Sequence, residues 1–190
     1  MGGNFRESII ISPSPVMARK ILLTSFQTWL PHQVSNSSDD LLQKIQGHPP
    51  QNLELIYLRH LPVDTHRASQ QVQQAIAQYQ PHCVVCCGMA ESRENLTLES
   101  HACWGTEQFF TTLPLESLIA PLTATTISHD AGKFVCEGLY FHVLEYLHRT
   151  QSSCGGVFVH VPRLAPKNEA KIVRDFQHLL MGLSGLLSTI

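Results

Sequence analysis

Charge is scarce in this sequence, and an excess of either sign is scarcer. Of 190 residues 15% are charged and the formal net charge is −2. That leaves no basic footprint for a nucleic-acid partner. Long apolar runs are also missing: none approaches the roughly 20 residues that a membrane-spanning helix needs, so no membrane partner is expected. The N-terminal "MGGNFRESIIISPSPV" has only three isoleucines before its prolines, too little for the apolar core of a secretory signal. Its Met-Gly start lacks the Ser or Thr that myristoylation wants, position 6 being Arg. Residues 1–17 are read as a tail, with Met17 as an alternative start. Without a signal sequence the expected compartment is the reducing cytoplasm, where the six cysteines form no disulfide framework. "CVVCC" at 83–87 contains a C-x2-C, but no second pair or His pair follows at metal spacing. It reads as a buried strand carrying small apolar thiols. No internal repeat and no low-complexity linker interrupts the chain.

Hydrophobic residues make up 43% of the sequence, and residues 18–190 suffice for one domain with a sizeable core. Apolar β-rich runs at 20–26, 53–63, 83–89 and 156–162 predict strands. The stretch 94–103 alternates like another strand, and 123–132 reads as a strand leading into a glycine turn. Between them, 35–47 has Ser and Asp as candidate caps, an apolar stripe and a terminal Gly, the marks of a short helix. Residues 64–81 place Ala68, Val72, Ala75, Ile76 and Tyr79 on one helical face and stop at Pro81. Further helices are expected at 136–149 and 168–187, with 114–122 short or irregular. Strands alternating with helices in a chain of this length predict an α/β fold: a three-layer α/β/α sandwich with a mostly parallel central sheet.

In open α/β sheets, sites form beyond the carboxyl ends of the strands. Three places qualify: the loops after 20–26 and 83–89, and the ends of 123–132 and 156–162. Cys136 lies in the third, in the first turn of its helix. Unpaired backbone N–H groups and the helix dipole there favour a thiolate. His160 closes the strand "FVHVP", and Glu99 ends "LTLE" on the neighbouring alternating stretch. An imidazole can activate a thiol and a carboxylate can orient the imidazole. On these residues alone a Cys–His hydrolase and a merely buried thiol both stand.

The segments resemble those of the pyroglutamyl-peptidase I family, the C15 cysteine peptidases, over most of residues 20–187. "AGKFVC" is similar to that family's nucleophile segment and "GVFVHVP" to its histidine segment, 24 residues on. "LTLE" is similar to its Ile/Leu-Thr-x-Glu, and "TSFQTW" to its Thr-Gly-Phe-x-Pro-Phe loop. "LPV" followed by "QPHCVVCCGMA" resembles its Leu-Pro-Val and Gln-Pro-Asp-x-Val-Ile-x-x-Gly-Gln-Ala. The resemblance implies a catalytic triad of Cys136, His160 and Glu99. It also implies a substrate pocket bearing Phe26, Trp29, Met89 and Val135. The implied reaction is hydrolysis of the amide after an N-terminal pyroglutamyl residue through an acyl-enzyme. The substrate would be a peptide or small amide, no metal or organic cofactor would take part, and the family commonly forms dimers or tetramers.

Departures from the family pattern cluster at the site. Met89 stands where Gln is usual, Thr24-Ser25-Phe26 replaces Thr-Gly-Phe, and Ser100 replaces an Arg. The stretch from Glu99 to Cys136 is short. Glu137 replaces Asn beside the nucleophile, and its charge is expected to raise the thiol pKa. An altered amidase specificity, or a small-molecule or partner-binding role without peptidase activity, is the alternative.

Overall fold

A computed structural model describes residues 18–31 and 33–186. The tail expected at 1–17 lies outside the described residues. The elements follow one another as β1 (Arg19–Phe26), α1 (Ser37–Gly47), β2 (Leu53–Leu61), α2 (Thr65–Tyr79), β3 (Cys83–Met89), β4 (Leu96–Glu99), β5 (His101–Trp104), β6 (Glu107–Phe110), α3 (Leu115–Ile119), β7 (Thr125–Ser128), α4 (Val135–Arg149), β8 (Gly155–Val161) and α5 (Glu169–Leu186). Six strands form the main sheet in the order β2-β1-β3-β8-β4-β7.

The apolar runs become central strands because both of their faces are covered. Residues 83–88 of β3 and all of β8 are buried. Ile21, Leu23, Val85, Val159 and Val161 pack against α1, α3 and α5. The alternate residues Leu22, Val84, Cys86 and Phe158 pack against α2 and α4. The period-2 alternation of side chains thus gives the expected three-layer sandwich. Helix α4 alone buries Leu139, Tyr140, Phe141, Val143, Leu144 and Leu147, each contributing on the order of 1.5–3 kcal/mol of transfer free energy.

Three local expectations need correction. The cap of α1 is Asn36, whose side chain accepts from the Ser38 N–H, and not one of the Ser or Asp residues that follow. Tyr79, assigned to the buried face of α2, is largely exposed at its end, where Gln80 adopts the left-handed region before Pro81. The alternating stretch 94–103 is not one strand. It breaks at Ser100, whose N–H bonds the Ser128 carbonyl and whose own carbonyl takes the Thr111 N–H. The chain beyond it folds back as the β5–β6 hairpin, packed over α4. Gly105, at φ +62°, supplies the two-residue turn.

Sheet direction matters for the site. β1, β2, β3 and β8 run parallel, whereas β4 is antiparallel to β8 and carries β7 parallel to itself. The carboxyl ends of β7 and β8 therefore point in opposite directions, contrary to their grouping on one edge. Residues 129–134 run back from the end of β7 to reach the pocket at the other strands' carboxyl ends.

Candidate active site

Three strand ends and one helix start converge on a cavity of about 250 Å³. Phe26 ends β1, Met89 ends β3, His160 lies near the end of β8, and Val135 and Cys136 open α4; all of them line it. Trp29 joins them from the loop after β1. Each residue expected in the substrate pocket is there, together with the expected nucleophile and base. Glu99 does not line the cavity; it is fully buried behind His160.

The strand register explains why sulfur and imidazole share one cavity. His160 of β8 is the register partner of Gly88 in β3. The sulfur of Cys136 rests over Gly88, so closely that a Cβ there would lie 2.7 Å from it. A glycine at 88 is what lets α4 deliver its thiol onto the sheet beside the histidine. The same added Cβ would also strike the Phe158 ring at 2.7 Å.

His160 is held from behind. Its Nδ1 lies 2.7 Å from Glu99 Oε1, and the two residues project from the antiparallel pair β8 and β4. With Nδ1 hydrogen-bonded to the carboxylate, Nε2 is the nitrogen left for chemistry. Arg93 Nη1 donates to the same Glu99 oxygen at 2.5 Å and also to Thr97 Oγ1. Arg93 Nη2 donates to the Asp130 carbonyl at 2.8 Å, fixing the loop that returns from β7. The Tyr140 hydroxyl donates to the Glu99 backbone carbonyl at 2.9 Å, clamping β4 to α4.

These surroundings set the charge states. Burial pushes the Glu99 carboxyl upward, but hydrogen bonds from His160 and Ser128 and the charges of His160 and Arg93 outweigh it and hold the pKa low. Glu99 is thus an anion. The Cys136 thiol is pushed up to about 12, first by burial and then by the Glu99 charge, with Arg93 pulling the other way. Phe134 at the α4 cap position makes no side-chain capping bond. The helix terminus therefore does not by itself leave a resting thiolate. The expectation about Glu137 also needs correction: its Oε1 accepts the Cys103 N–H of β5 at 3.1 Å, and the carboxylate that loads the thiol is Glu99.

Sequence reasoning gave no role to Arg93, which matches the family's Gly-Gln-Ala-Gly-Gly-Arg segment at its last residue, nor to Thr97 or Phe134. Arg93 precedes Glu99 by six residues, a spacing that carries no signal until the chain folds around β4. Phe134 stands two residues before Cys136, 58% exposed, with its ring centroid 6.1 Å from that of Trp29. An aromatic residue two positions before a candidate nucleophile was the available clue.

The Pyroglutamyl peptidase family profile matches residues 19–104 and 99–176. The chain belongs to the pyroglutamyl peptidase family. Among curated relatives, the pyrrolidone-carboxylate peptidase of Aliivibrio fischeri strain MJ11 is 28% identical over 172 residues, covering 77% of this chain and 79% of that protein. That of Vibrio vulnificus strain CMCP6 is 28% identical over 199 residues, covering 90% and 92%. Two solved structures share the fold. Pyroglutamyl peptidase I from Bacillus amyloliquefaciens superposes with a TM-score of 0.77 at 19% identity, covering 88% of this chain and 96% of that one. Pyrrolidone carboxyl peptidase from Thermococcus litoralis gives 0.79 at 18% identity, covering 90% and 96%. In this pyroglutamyl peptidase family member Cys136 and His160 line the cavity at the carboxyl ends of β1, β3 and β8, and Glu99, at the end of the antiparallel β4, is buried behind His160. Among the described residues no helix is long and apolar enough to cross a membrane, and no group of three or more His, Cys, Asp or Glu side chains is placed to hold a metal.

Proposed function

We propose that the protein is a cysteine peptidase that removes an N-terminal pyroglutamyl residue from a peptide or small amide, with Cys136 as nucleophile, His160 as proton shuttle and Glu99 as the residue that orients it. The 2.7 Å contact between Glu99 Oε1 and His160 Nδ1, with His160 and Cys136 on one apolar cavity, carries this reading.

A thiol held near 12 is protonated at neutral pH, so the sulfur must lose its proton as it attacks. His160 Nε2 takes that proton while Sγ forms a bond to the acyl carbon. The buried Glu99 carboxylate stabilises the imidazolium that results. The imidazolium then protonates the departing amine as the C–N bond breaks, leaving a thioester on Cys136. Water, deprotonated by His160, hydrolyses the thioester and restores the thiol. Arg93 keeps Glu99 ionised and fixed through both halves. The aromatic walls of Phe26, Trp29 and Phe134 suit a flat acyl group without charge. Among the described residues no carboxylate lines the cavity to receive a free α-ammonium, so an N-blocked substrate fits and an ordinary aminopeptidase substrate does not. The substrate's ring lies inward and its peptide continues outward past Trp29 and Phe134.

A fluorogenic pyroglutamyl amide tests the reading. Turnover by the wild type, its loss in Cys136→Ala and its block by iodoacetamide on Cys136 are expected. A wild-type protein that neither turns over the amide nor reacts at Cys136 sinks it.

A further inference from the structure

Most polar side chains inside the cavity are already engaged. Asn36 donates from Nδ2 to the Gln27 carbonyl at 3.2 Å and accepts at Oδ1 from the Ser38 N–H at 3.1 Å and the Ser38 hydroxyl at 2.7 Å. Arg93 is committed to Glu99, to Thr97 and to the Asp130 carbonyl. His160 has one nitrogen on Glu99, which leaves the other for proton transfer. Ser92 is exposed and stands at the rim. Trp29, 39% exposed, brings an indole N–H from the rim, and apart from the Cys136 thiol the rest of the side-chain lining is apolar: Phe26, Val63, Met89, Ala131, Phe134 and Val135 among it.

Met89 occupies the position from which a polar side chain could serve this pocket. It ends β3 next to Gly88, and its sulfur receives the N–H of Ser37, in the first turn of α1, at 3.5 Å. That amide is thereby occupied by a weak acceptor. The Ser37 hydroxyl is spent as well, donating to the Val161 carbonyl at 3.0 Å.

A five-membered lactam brings one N–H and one C=O into any pocket that holds it. Buried without partners, both groups oppose binding. A site built to hydrogen-bond such groups rejects an analogue lacking them by on the order of 10⁴-fold. An apolar pocket discriminates far less and treats isosteres alike. We propose that this cavity selects an uncharged, compact acyl ring by shape and apolar contact, without favouring a lactam over its all-carbon isostere, and that Met89 is the residue that sets this breadth. The proposal rests on the reading that Cys136, His160 and Glu99 hydrolyse amides, and it makes the chain an N-acyl amide hydrolase of broader acyl specificity than lactam release alone.

Coumarin amides of pyroglutamic, cyclopentanecarboxylic and prolyl acyl groups present the same ring as lactam, carbocycle and cation. The carbocyclic amide is expected to match or exceed the lactam in kcat/KM, to within tenfold at most in the lactam's favour. The prolyl amide should fall at least about 100-fold below both, since its ammonium finds no anion in the cavity. Met89→Gln is expected to move the lactam-to-carbocycle ratio at least tenfold toward the lactam. A wild-type lactam preference above tenfold, or prolyl turnover equal to that of the carbocycle, overturns the proposal. Affinities of pyroglutamyl- and cyclopentanecarbonyl-alanine amides for Cys136→Ala, measured by calorimetry, separate specificity from chemistry. If the wild type cleaves neither amide, the hydrolase reading falls, while these affinities, judged by the same tenfold limit, still decide the pocket.

Discussion

Two cysteine-bearing regions face each other across one packing interface: β3, which carries Cys86, and the first turn of α4, which carries Cys136. Both thiols are pushed up to about 12 by burial. By acidity they are indistinguishable, and neither rests as a thiolate at neutral pH. What separates them is what lies around the sulfur. Cys86 is sealed within the strand–helix core among Leu22, Val84 and Phe158. Cys136 sits over a glycine, on a cavity, beside a histidine whose far nitrogen is tied to an anion. Under the proposed mechanism, reactivity belongs to the thiol with an acceptor waiting for its proton, and not to one that has already lost it.

Removing each sulfur in turn tests that contrast most severely. Cys136→Ala is expected to lower kcat on the order of 10⁴-fold or more for whichever amide is cleaved. Cys86→Ala should leave kcat within about threefold and cost about 1 kcal/mol of stability, read by urea unfolding. Equal losses of activity in both variants would erase the distinction.

Glu99→Gln comes next. It preserves the size of the side chain but removes the charge that would stabilise the imidazolium, so kcat should drop on the order of 10²- to 10⁴-fold. A variant with wild-type kcat would show that His160 needs no anion behind it. Gly88→Ala should act more mildly, by crowding the Cys136 sulfur and Phe158: roughly 10- to 100-fold in kcat/KM, with about 1–3 kcal/mol of overpacking. An unchanged rate would mean that the sulfur's seat on Gly88 is immaterial.

The smallest effect is in the pH dependence of stability. The thiol of Cys136 ionises near 12 in the folded state and near 9.0 when free. Between those values the folded chain holds a proton that the unfolded chain has released, so stability falls as pH rises. Cys83, Cys86, Cys87 and Cys154, all shifted upward by burial, act in the same direction. Denaturation midpoints from pH 8 to 11 should decline, and Cys136→Ala should decline less steeply by up to one proton's worth. A flat profile, or one that rises, contradicts the burial of these thiols.

Much of this was visible in the order of residues. The runs at 20–26, 83–89 and 156–162 are so continuously apolar that only strands covered on both faces can hold them, and the helices between them announce their faces by spacing. Cys136 next to a helix start, His160 at a strand end and Glu99 at the end of "LTLE" were legible as chemistry-bearing positions. The hairpin was not, because β5 continues the alternation of β4 across Ser100 without a break in pattern. Nor was the reversed direction of β4 and β7, since strand polarity within a sheet leaves no local trace. Glu137 misled for a related reason: adjacency along a helix says nothing of where a side chain points, and the Cys103 N–H across the α4–β5 contact decided it.

The sequence by itself determined the layers, the elements and the presence of a thiol, an imidazole and a carboxylate, because hydrophobic periodicity and residue chemistry are local properties. Only the tertiary structure decided that Glu99 stands behind His160, that Arg93 serves Glu99, and that Asn36 and Arg93 in the pocket are engaged with the protein itself. Those are distances between residues far apart in the chain, and they exist only once the antiparallel β4 is laid against β8.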